Sequence, residues 1–166
     1  MLNRADLAKA VRDSIKTEKY AMDFYRLAAQ HAQKKEVRRV FELLATEEME
    51  HAHSFFAIYE GTEIDDIEAF LKRPPEADSS WSKALAKMIA EPGFDERRAL
   101  ELAMEREEEL ERQLRKLSER IAEPEVKDIY LKNAEWTRNH YLLIESEYAR
   151  LMRMVHETDI DTYVRE

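Results

Sequence analysis

The chain has 166 residues, 38% of them charged, with a formal net charge of −9, two glycines, four prolines and no cysteine. That length suits one domain with its own core, and the negative charge disfavours a nucleic-acid partner. The lack of cysteine excludes disulfides, thiolate metal sites and redox-active thiols, and the scarcity of helix breakers among so many Glu, Lys, Arg, Ala and Leu points to long helices rather than a sheet.

In chain order, the first helical pattern runs from about Arg4 to Gln33, with Val11, Ile15, Met22, Tyr25, Ala28 and Ala32 facing inward. A second runs from about Lys35 to Glu60 and stops at Gly61, a common C-terminal signal. Its stripe is Val37, Phe41, Leu44, Glu48, His51, Phe55 and Ile58. Residues 62–94 form a long crossover in which "WSKALAKMIA" is expected to make a short helix packing Trp81, Leu85 and Met88. A third helix begins after Asp95, a suitable N-cap, and reaches about Ile121. The fourth begins at Pro124, well placed in a first turn, and reaches about His156. The expected architecture is all-α: a four-helix bundle of two antiparallel hairpins over residues 1–156, followed by a tail at 157–166. No apolar run approaches the ~20 residues of a membrane span, and "MLNRADLAKAV" has no apolar signal core, so the expected location is cytoplasmic.

The two halves repeat. A shift of 89 residues places Glu18 on Glu107, His51 on His140 and Tyr59 on Tyr148, and superposes both hairpins and both turns. This register matters for "EEMEHAH" (47–53), which holds two overlapping Glu-x-x-His pairs. Residues three or four apart share a helix face. Glu48 and His51 fall on the inward stripe, whereas Glu50, some ~200° around the helix from Glu48, and His53 fall off it and are expected to face solvent. Glu18, Glu107 and His140 likewise replace hydrophobes on inward stripes of their helices. An unpaired buried carboxylate costs several kcal/mol, so these groups need partners or a metal. Each hairpin sets its polar groups level, ~20 Å from its turn at 1.5 Å per residue. Tyr25, Trp81 and Trp136 are expected to be packing residues.

One Glu from each of two helices, with Glu-x-x-His from the other two, resembles the ferritin-like di-metal carboxylate pattern. With "EKYAMDFYRLAAQ", "LLATEEMEHAHSF" and the repeat, residues 4–155 are most similar to the rubrerythrin branch, as a core domain without the cysteine-bound iron module. The resemblance implies metal ligation by Glu18, Glu48, His51, Glu107 and His140, with Glu48 bridging. It implies two irons per chain, with Mn or Zn as alternatives, and an oxidoreductase acting on peroxide or dioxygen. It also implies a separate electron-donor protein and a homodimer or larger assembly, for which Phe70, Leu71, Trp81, Ile160 and Tyr163 are the expected contacts.

The chain departs from the pattern in one place: the second half reads Thr137-Arg138-Asn139-His140, so the fourth-helix carboxylate is missing. Glu111 and Glu147 are the carboxylates nearest in sequence register to replace it. The expected consequence is an unequal pair of sites, complete at Glu18, Glu48 and His51 and weaker at Glu107 and His140. Two other functions stay open: iron handling or ferroxidase activity without peroxide turnover, and a bundle whose mononuclear or vestigial site serves structure.

Overall fold

The computed structural model describes the backbone of residues 1–90 and 93–164 and the side chains of residues 1–90 and 93–153. Its elements are α1 (Arg4–His31), α2 (Lys35–Phe56), α3 (Ile67–Leu71), α4 (Ser80–Ala90), α5 (Glu96–Ser118) and α6 (Pro124–Val164). Among the described residues there is no strand.

The helix starts follow local chemistry. The Asn3 side chain accepts from the Asp6 N–H at 2.8 Å, and Asp95 accepts from the Arg98 N–H at 3.3 Å. The end of α2 differs from expectation. Tightened turns (Ile58 N–H to Phe55 O, Tyr59 N–H to Phe56 O) close the helix at Phe56. Gly61 lies beyond this end and provides room, since a Cβ there would overlap the Tyr59 ring. Gly93, at φ 78°, makes the left-handed turn that leads into α5. The α6 backbone continues past His156 to Val164, so the stretch read as a tail is helical over most of its length.

α1 pairs with α2 and α5 with α6, each through a short turn. The hairpins are tied in register by side chains. Asn133 on α6 donates to Ser54 on α2 at 2.9 Å, and Arg150 lies 4.0 Å from Glu36, so α2 and α6 run antiparallel. At the end of the α1–α2 turn, Glu96 accepts from the backbone N–H groups of Gln33 and Lys34, and at the opposite end the Leu2 N–H bonds Arg120 O. Hence α1 also runs antiparallel to α5. The crossover packs as anticipated: Trp81 and Leu85 of α4 are buried, Met88 is partly buried, and Trp81 lies 4.6 Å from the Phe24 ring. A buried Lys19–Asp23 pair (2.5 Å) anchors the crossover, because Lys19 also donates to Arg73 O at 2.9 Å. Phe70, Leu71 and Trp81 are therefore used within the chain, at 4%, 4% and 7% exposure, and are not free to contact a partner. Ile160 and Tyr163 fall outside the described side chains.

The core divides into two apolar clusters. One, near the α1–α2 turn, holds Tyr25, Phe41, Leu44, Leu100, Ala103 and Ile144. The other, toward the α5–α6 turn, holds Val11, Ile15, Phe55, Leu114, Ile121 and Tyr130. Residues 18, 48, 51, 107, 137 and 140 fall between the two along every helix, so the bundle carries one buried polar layer between two apolar ones.

Candidate metal centre

The polar layer draws one residue from α1 (Glu18), two from α2 (Glu48, His51), one from α5 (Glu107) and two from α6 (Thr137, His140). None is more than 4% exposed. Glu48 lies at the centre. Its Oε2 is 3.1 Å from His51 Nδ1 and its Oε1 is 3.1 Å from His140 Nδ1. Glu18 Oε2 approaches His51 Nδ1 at 3.7 Å, and Glu107 Oε1 approaches His140 Nδ1 at 3.6 Å. Each imidazole thus turns Nδ1 toward one private carboxylate and one oxygen of a shared carboxylate. The imidazole rings stack on each other at 4.8 Å. Ligand atoms of Glu48, His51 and His140 all lie within 4.8 Å of one another.

The electrostatics follow from this crowding. Burial alone would lower both histidines, but Glu48 and its neighbours outweigh it, pushing His51 up to about 10 and His140 well above its usual value. Burial and then the Glu48 charge raise Glu18, and the same two causes raise Glu107 to about 7. Burial works against the Glu48 charge, yet Glu18 and the two histidines hold Glu48 well below the usual carboxylate range. In the protein alone, protons neutralise a cluster of three buried carboxylates.

Three outer side chains complete the arrangement. Tyr25, fully buried as expected, donates its hydroxyl to Glu107 Oε1 across the hairpins. Glu47 Oε2 meets His140 Nε2 at 2.7 Å. Trp136, expected to be a packing residue, is 38% exposed and stacks on His51 at 5.3 Å, with 17° between the planes. Sequence reasoning passed over Glu47, which lies one residue off the inward stripe. The signal was its place beside Glu48 on a helix level with His140.

Glu111 and Glu147 are directed to arginines. Glu111 contacts Arg115 at 3.0 Å and Arg138 at 3.9 Å, and Glu147 takes Arg150. Glu50 is exposed, and His53 pairs with Glu68 at 2.9 Å away from the layer. The Thr137 hydroxyl is buried without a hydrogen-bond partner in the space the missing carboxylate would fill. Two clefts approach the layer. One, ≈ 180 Å³, opens between α2 and α6 at Glu47, Glu50, His51, Trp136 and His140. The other, ≈ 260 Å³, opens between α1 and α5 at Ser14, Thr17, Glu18, Leu110 and Leu114.

The donor set fits a divalent pair. Both Glu18 oxygens, Glu107 Oε2 and Thr137 Oγ1 are buried without hydrogen-bond partners, which natural interiors rarely tolerate unless something else binds there. Oxygen and imidazole donors suit Fe(II), Mn or Zn. The candidate donors divide evenly about Glu48: each histidine faces one oxygen of Glu48 and one carboxylate of its own, Glu18 for His51 and Glu107 for His140. The difference lies outside the ligands, where His140 has Glu47 and His51 has Trp136. Among known proteins, the sequence model described as rubrerythrin matches residues 9–155. No curated protein and no solved structure matches.

Proposed function

Because the chain belongs to the rubrerythrin family, we propose that it is a non-haem di-iron carboxylate oxidoreductase that reduces peroxide or dioxygen. The observation that carries this reading is Glu48, whose two oxygens each address the Nδ1 of a different histidine at 3.1 Å. Glu18, Glu48, His51, Glu107 and His140 would hold two Fe(II) ions, which would supply the two electrons that, with two protons, reduce H₂O₂ to two waters. The protein's part is placement. Glu18 and Glu107 neutralise one position each, while Glu48 serves both. Tyr25 holds Glu107 Oε1, and Oε2 is buried without a hydrogen-bond partner. Thr137 offers a buried hydroxyl without a hydrogen-bond partner in place of a carboxylate. The acidic mouth at Glu47 and Glu50 suits cation entry, and the α1–α5 cleft gives a second approach at Glu18. The 166 residues contain no cysteine, so the electrons that restore the reduced pair come from outside this bundle.

The test is metal content per chain followed by stoichiometric peroxide oxidation of the ferrous protein. Two irons and oxidation by one peroxide per chain support the reading. Thr137 raises the reading of a mononuclear or vestigial site serving structure, and a further reading is iron handling without peroxide turnover. Oxidation by dioxygen with iron release and no peroxide turnover would select it. One ion or none would leave a mononuclear or structural site.

A further inference from the structure

Under the internal repeat, Glu48 corresponds to Thr137, so the carboxylate present in the first half is absent from the second. The residue before each is Glu47 and Trp136, which correspond to each other in the repeat. Each reaches across to the other hairpin's histidine, Glu47 to His140 Nε2 at 2.7 Å and Trp136 to the His51 ring at 5.3 Å. The two histidines therefore have neighbours at matching positions but of opposite chemistry. Glu18, Glu48 and Glu107 provide three negative charges against the four positive charges of two divalent ions. One charge is lacking, and among the described residues the one carboxylate on the outer nitrogen of a site histidine is Glu47, on the histidine of the half that lost its glutamate.

We propose that Glu47 supplies this fourth charge through the His140 ring. It is a positioning residue. By accepting the Nε2 proton it fixes the tautomer that leaves the Nδ1 lone pair facing inward, and its charge makes that nitrogen a stronger donor. Carboxylate partners of ligating histidines change metal affinity by ~10–100-fold. No comparable carboxylate faces His51 among the described residues, so the effect belongs to one position of the two. The proposal rests on the di-metal reading above.

The test is anaerobic titration of the full chain with Co(II), followed by calorimetry and visible ligand-field absorption. Glu47 has a side chain 39% exposed, so Glu47→Gln leaves the core intact. Gln retains an oxygen that accepts the Nε2 proton but carries no charge. The expected result is two ions bound by the wild type, with one step weakened ~10–100-fold in Glu47→Gln and the other unchanged. The weakened step is the one that His140→Ala removes. In a Thr137→Glu background, adding Glu47→Gln should cost less than about threefold, because the charge is again supplied from within. A Glu47→Gln protein that titrates like the wild type overturns the proposal, as does equal weakening of both steps, or an undiminished penalty in the Thr137→Glu background. If the wild type binds two ions and Glu47→Gln is silent, only the role of Glu47 falls. If the wild type binds none, the di-metal reading falls with it.

Discussion

Removing the metal should destabilise the whole bundle, since the ligands come from all four long helices and the unfolded chain cannot gather them. A ligand that binds only the folded state at 1,000 times its dissociation constant adds about 4.1 kcal/mol per site. For 166 residues, an unfolding entropy of ~2.1 cal/mol/K per residue gives ~0.35 kcal/mol/K. One saturated site should then raise the midpoint by ~12 °C, and two by roughly twice that. The gain replaces an arrangement held by shared protons, in which Glu18 and Glu107 are raised by burial and by Glu48. The assay is anaerobic differential scanning calorimetry with Fe(II) and after chelation. Glu48→Gln is the control: it takes the counter-charge from both imidazoles, so the metal-free variant itself melts lower, and the readout is the metal-dependent difference. That difference should vanish. A wild type with no shift, or a Glu48→Gln protein with the full shift, would refute the reasoning.

Other outcomes follow from the same geometry. Tyr25→Phe removes the hydroxyl that Glu107 accepts from and should cost ~1–3 kcal/mol in denaturant unfolding of the metal-free protein; an unchanged midpoint would count against that bond. His51 is raised from 6.5 to about 10, so its contribution to metal-free stability is full below pH 6.5 and is lost as pH rises through 10. Thermal midpoints across that range should fall for the metal-free protein and change much less for the loaded one, whose imidazoles carry no Nδ1 proton. Light scattering should find a homodimer or larger assembly, with exposed Leu43, Leu131 and Leu142 as the apolar surface to truncate; a monomer at micromolar concentration would contradict this.

The hairpins were readable because apolar residues recur three and four apart and the turns are short. The ligand candidates were readable because charge on an inward stripe is costly and therefore informative, and counting residues from each turn put Glu18 level with Glu48 and His51. What the chain order concealed is contact across hairpins. Glu47 and Trp136 each lie one step around the helix from an inward position, where a side chain normally reads as solvated or as packing, and only the pairing of α2 with α6 brings them to the histidines. The α2 terminus was misplaced for a different reason. Gly61 looks like a helix stop, but the chain had already turned at Phe56, and the glycine accommodates the Tyr59 ring. The burial of Phe70 and Leu71 depended on how the crossover folds back on the first hairpin, which no periodicity encodes.

What occupies the layer between Glu18, Glu48, His51, Glu107 and His140 decides the function. The direct measurement is anomalous scattering at the iron edge from crystals of the anaerobically reconstituted protein. It should show two peaks ~3.5–4 Å apart, spanned by the Glu48 carboxylate, with His51 Nδ1 on one and His140 Nδ1 on the other. A single peak, or iron bound elsewhere with Glu48 still between two protonated imidazoles, would contradict it.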